Sequence, residues 1–105
     1  MIKRIWHGWT NHENADKYEN LLKNEIFPGI EAKNIHGYSN IQLLRRAHES
    51  EVEFITIMDF ESWESVKAFV GEDPAKSYVP ENARKVLSRY DENSQHYEVR
   101  ENRSY

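Results

Sequence analysis

The stretch that most constrains this chain is residues 53–60, EFITIMDF. Side chains alternate between the faces of a strand, so Phe54, Thr56, Met58 and Phe60 share one face while Ile55 and Ile57 share the other. A strand that is apolar on both sides has to sit inside a sheet and be covered on both of its faces. Directly after it, Ser62 has the chemistry of a helix N-cap. Trp63, Val66, Phe69 and Val70 follow at helical spacing as an inner face. Gly71 suits the position just past a helix end, and Pro74 blocks continuation.

Residues 2–10 read as another strand with two apolar faces, carrying Ile5, His7 and Trp9 on one side and Arg4, Trp6 and Gly8 on the other. Thr10 and Glu13 have capping-box spacing, with Asn11 as the alternative cap, for a helix from residue 11 to 25 or 27. Ala15, Tyr18, Leu21, Leu22 and Ile26 give that helix its apolar stripe. Pro28-Gly29 is expected to break or kink it, with a further irregular turn to residue 32. A strand over 38–46 puts Ile41 and Leu43 on one face, and residues 47–51 form the hairpin loop to 53–60. Pro80 suits the first turn of a helix whose buried face is Ala83, Val86, Leu87 and Tyr90. A last strand over 96–100 places Tyr97 and Val99 inward and His96 and Glu98 on the opposite side. Residues 100–105 read as a charged tail or strand extension.

The order strand, helix, strand, strand, helix, strand predicts an α+β fold with a ferredoxin-like βαββαβ antiparallel sheet. That topology makes the first and third strands central, which are the two with apolar residues on both faces. Helices on one side leave Ile5, Trp9, Ile55 and Ile57 as an open apolar patch, which monomers rarely expose. The expected state is therefore a homodimer with two sheets packed face to face.

A chain of 105 residues is expected to be a single domain spanning 1–105. Only 38% of residues are hydrophobic against 30% charged, a lean core that suits one shared with a partner. With 14 Lys and Arg against 18 Asp and Glu, the net charge of −4 argues against a nucleic-acid ligand. The absence of Cys excludes disulfides, a thiol nucleophile and thiolate metal sites. The five His show no metal-ligand spacing, so no metal is expected. There is no phosphate loop and no nucleophile elbow. No run approaches the roughly 20 apolar residues of a membrane span. No apolar leader stands near residue 1, and a cytoplasmic protein is expected.

Several short features together resemble the antibiotic biosynthesis monooxygenase superfamily of dimeric α/β-barrel proteins. They are Arg4-x-Trp6-x-Gly8, Leu44-Arg45-Arg46, Glu53-Phe54, Phe60-Glu61-Ser62, Gly71-x-Asp73-Pro74, Pro80-Glu81 and His96-Tyr97-Glu98-Val99. The resemblance implies oxidation of an acidic phenol, enol or quinol in a dry pocket, with no cofactor. In an ungapped register Phe60, Thr56 and Val66 stand where the cofactor-free enzymes have Trp, Asn and Tyr. A gapped register matches Trp63-Glu64-Ser65 instead, with Asp59 at the Asn and Phe69 at the Tyr. Haem-degrading members carry Asn, Trp and His where this chain has Trp6, Phe69 and Val79, so haem is not expected.

Under that resemblance the base would come from His7, His96 or Asp59. Trp6, Phe60, Trp63, Phe69, Tyr78 and Tyr97 would line a pocket for a flat aromatic ligand, the competing reading being that they form the core. Asn40 and Arg4 are the polar groups expected to fix the ligand. Arg4, on an inward face, needs a partner, for which Glu98 and a ligand anion are the candidates. The alternative function is a non-catalytic small-molecule-binding or stress-associated dimer on the same scaffold.

Overall fold

A computed structural model describes residues 1–105. The sheet contains β1 (Ile2–Thr10), β2 (Tyr38–Ala47), β3 (Val52–Phe60), β4 (Arg89–Tyr90) and β5 (Gln95–Glu98). It is antiparallel with order β2-β3-β1-β4, and β5 also pairs with β1. The two strands with apolar residues on both faces are thus the interior ones. They pair without interruption from Ile2 opposite Phe60 to Thr10 opposite Val52.

Helices cover one face. They are α1 (Ala15–Leu21), a π-helical turn (Leu22–Ile26), α2 (Phe27–Glu31), α3 (Trp63–Val70) and the single-turn α4 (Glu81–Arg84). Under them Ile2, Trp6, Val52, Phe54, Met58 and Phe60 of the sheet join Tyr18, Leu22, Val66 and Phe69 in one core. On the other face Ile5, His7, Trp9, Ile55 and Ile57 are only half-buried and Leu44 is exposed. No helix is long and apolar enough to cross a membrane.

Pro28 does not break the first helical segment. A proline ring strikes the carbonyl four residues back in a regular α-helix and has no N–H to donate. Here the preceding turn is widened, with the Phe27 N–H donating to the Leu22 carbonyl, and the helix runs on to Glu31. The segment also starts later than the capping-box spacing indicates. Thr10 stays in β1, fully buried, with its Oγ1 unpartnered. Asn11 Oδ1 instead accepts from the Asn14 N–H at 2.8 Å in the turn ahead of α1.

The frame around α3 is as expected: Ser62 Oγ accepts from the Ser65 N–H at 3.3 Å, and Gly71 ends the helix at φ +86°. Trp63, expected inward, is 42% exposed. The helix expected from Pro80 to Tyr90 is only one turn long. Val86 and Leu87 are buried beyond it, and the chain then returns to the edge of β1. There the Ser88 N–H donates to the Trp9 carbonyl at 2.8 Å and the Asp91 N–H to the His7 carbonyl at 2.9 Å. Tyr90 is therefore a strand residue opposite Gly8.

The parity of the last strand is reversed from the sequence reading. His96 lies opposite Arg4 and Tyr97 opposite Lys3, so His96 faces the helices and Tyr97, 56% exposed, lies on the open face. A one-residue change of register flips every side chain of a strand to the other side. Residues 101–105 are exposed and carry no regular structure.

Candidate functional site

Between the helices and the sheet the core leaves a cavity of about 50 Å³. Its wall is mostly apolar. Trp6 and Met58 close it on the sheet side, Leu22 and Ile30 on the helix side, and Phe69 and Tyr78 at one end. Trp6 is fixed by its Nε1–H, which donates to the Asp91 carbonyl at 2.8 Å. The Phe69 and Tyr78 rings stand 5.3 Å apart, and Lys33 Nζ lies 4.6 Å from the centre of the Tyr78 ring.

Arg4 is the charged residue in this wall, and it is only 3% exposed. No ion pair of the chain includes it. Glu98 is not its partner; it sits at the exposed end of β5 opposite Ile2. The guanidinium is held by neutral groups. Nη1 donates to the Pro74 carbonyl at 2.6 Å and Nη2 to the Lys76 carbonyl at 2.8 Å. Nη1 also lies 3.0 Å from His96 Nε2. Burial lowers the Arg4 pKa to about 10, so it remains a cation at neutral pH. A buried cation without a counter-charge, at the edge of an apolar cavity, sets up a positive potential there.

His96 accepts from Arg4 on Nε2, so its ring proton belongs on Nδ1 and the ring is neutral. Burial, and then the adjacent Arg4 charge, hold its pKa below the ordinary histidine range. Trp63 packs outside it, with ring centres 5.1 Å apart. Neither His96 nor Trp63 forms part of the cavity wall.

The other candidate bases lie on the opposite face of the sheet and already have partners. His7 Nδ1 is 3.0 Å from Glu53 Oε2, and His48 Nε2 is 2.9 Å from Glu53 Oε1. Those contacts, His48 foremost, hold the Glu53 carboxyl below the usual range. Asp59 takes the Lys3 ammonium at 2.7 Å, with Asn40 Nδ2 at 3.5 Å from its other oxygen. Asn40, expected beside a ligand, is exposed on that side. Phe60 is fully buried between the rings of Tyr38 and Phe69 and is a core residue. The structure therefore gathers Arg4, Trp6, Phe69 and Tyr78 at one cavity and leaves His7, Asp59, Asn40, Phe60, Trp63 and Tyr97 elsewhere.

Sequence reasoning did not single out Tyr18, Ser94 or Gly8 for this site. Tyr18 lines the cavity, and burial pushes its phenol pKa up, so it stays protonated as a potential donor. Ser94 reaches the wall from an irregular turn and carried no sequence signal. Gly8 is different, because a glycine inside a strand pattern marks a close approach. A Cβ placed there would lie 2.5 Å from the Trp6 ring.

The class defined by this architecture is a ferredoxin-like α+β protein with a small, mostly apolar cavity between helices and sheet. No family model and no curated protein matches the sequence. Among solved structures, the chain matches a Bacillus cereus protein provisionally named an antibiotic biosynthesis monooxygenase, with a TM-score of 0.71. The match covers 99% of this chain and 97% of that one at 12% identity, a likeness of fold.

Proposed function

We propose that this chain forms a homodimer through the open sheet face, and that each subunit binds a small acidic aromatic, enolic or quinol compound beside Arg4. The observation that carries this reading is a buried, acid-free guanidinium at a mostly apolar cavity. A cation in low dielectric favours the ionised form of a bound phenol or enol, lowering its pKa without a protein base. The anion so formed is the species that passes an electron to dioxygen in cofactor-independent monooxygenation. The resulting radical and superoxide combine to a hydroperoxide, which loses water to leave a carbonyl. One dioxygen is consumed, and a CH2 or aromatic CH becomes C=O with one water released. The protein's contribution is to orient the substrate, exclude water and stabilise the anion.

A second reading is favoured by one feature: no unpaired base stands at the cavity, since His96 Nε2 is occupied by Arg4. On that reading the dimer binds the ligand without turning it over. Oxygen uptake with a panel of dihydroxynaphthalenes and quinols, without added cofactor, separates the two. Turnover that falls in Arg4→Met supports the oxygenase. Binding without turnover across the panel supports the binding protein.

A further inference from the structure

Arg4 does a second job in this fold. Both of its carbonyl acceptors belong to residues 71–80, an irregular strap that starts at Gly71 and leads into Pro80. This strap carries Tyr78, Val79 and Pro80 to the cavity wall. Apart from the bonds that join its two ends to the flanking helices, at Gly71 and Pro80, its other hydrogen bonds to the rest of the chain run to the turn at 91–94. The Ser77 N–H donates to the Glu92 carbonyl at 3.1 Å, Ser77 Oγ–H to the Asp91 carbonyl at 2.8 Å, and the Ser94 N–H to the Ala75 carbonyl at 2.7 Å. The hydrogen bonds it receives from the sheet are those of Arg4.

The cavity is small. An apolar cavity of about 150 Å³ accepts benzene, and the space here is about 50 Å³. An aromatic ligand needs one wall to move, and the strap is the wall without regular structure. Its tie is replaceable: Nη1 and Nη2 each hold one neutral carbonyl oxygen, as they would each hold one oxygen of a carboxylate. A carboxylate adds to these bonds the attraction of a full opposite charge and a bidentate fit to the guanidinium, neither of which a backbone carbonyl supplies.

We infer that the ligand is a planar anion with two adjacent oxygens, an aromatic carboxylate or its enediolate equivalent. It displaces the Pro74 and Lys76 carbonyls from Arg4 and thereby releases the strap. The cavity then opens for ligands that bring the charge to do so, and neutral rings of the same shape are refused. This rests on the cavity being the ligand site.

Benzoate and its neutral isostere benzamide test it on the full chain, with binding read by calorimetry and the strap by tryptic cleavage after the exposed Lys76. Benzoate should bind at least about tenfold more tightly than benzamide, the range expected for a hydrogen-bonded charge. It should speed cleavage after Lys76 several-fold and saturably, while benzamide leaves the rate unchanged. In Arg4→Met, benzoate should lose its advantage and Lys76 should be cut faster without ligand. The wild-type comparison stands by itself should that variant fail to fold. Equal binding of the two probes, or benzoate binding with no change at Lys76, overturns the inference and leaves the cavity as a ligand site. Binding of neither probe overturns the cavity reading as well.

Discussion

Arg4 and His96 face one another across the β1–β5 ladder, with Nη1 3.0 Å from Nε2. A cation donating to the imidazole lone pair opposes protonation of that ring. The arrangement keeps a neutral histidine directly behind the only charged residue of the cavity wall.

The His96 pKa, followed by NMR, should therefore lie below that of an unstructured histidine, about 6.5. Burial is the larger cause and Arg4 the second, so Arg4→Met should raise it only part of the way back. The sign for stability follows. As pH falls below about 6.5 the unfolded chain takes up this proton before the folded one, so the contribution of His96 is present above that pH. It is lost as pH falls toward the folded pKa. Urea unfolding of wild type and His96→Gln from pH 8 to 5 should show a larger loss in wild type.

Gly8→Ala tests the close approach beside Trp6. The added methyl meets the Trp6 ring at 2.5 Å and Leu87 Cδ2 at 3.1 Å, in a packed interior. Overpacking of this kind costs about 1–3 kcal/mol. A lowered melting temperature together with a shifted Trp fluorescence spectrum is expected, because the indole has to move into the cavity.

Phe60→Ala separates core from site. The ring is fully buried against Tyr38 and Phe69, so its removal should cost about 3–5 kcal/mol in chemical denaturation. A loss under about 1 kcal/mol would mean that the ring is not packed as described.

Ile57→Lys addresses the proposed dimer. Ile57 lies opposite Ile5 and Gln42 on the open face and is half-buried within the single chain. A lysine there is tolerable in the monomer but is buried unpaired between two sheets. Light scattering should show a wild-type dimer at micromolar concentration, and association weaker by on the order of a hundredfold or more for the variant.

Much of the scaffold was legible because it depends on local alternation. Phe54 and Ile55 point to opposite faces wherever β3 is placed, and Ser62 and Gly71 mark α3 by their own backbone chemistry. Arg4 and Trp6 share a face for the same reason. The parity of β5 was not legible. His-Tyr-Glu-Val alternates equally well either way, and the choice is made by pairing with β1, more than 90 residues away in sequence. Tyr90 fitted a helical stripe, but the unpaired edge of β1 draws the chain into β4 after one turn of α4. The strap bonds of Arg4 span 70 and 72 residues and end on backbone carbonyls, which leave no signature in residue identity.

A crystal structure with benzoate tests the proposed seat for an anion on Arg4 inside the cavity. The ring should lie between Trp6 and Phe69, with the carboxylate within hydrogen-bond distance of Arg4 Nη1 and Nη2 and the Pro74 and Lys76 carbonyls displaced. Benzoate bound elsewhere on the molecule, with Arg4 still bonded to both carbonyls, would contradict it.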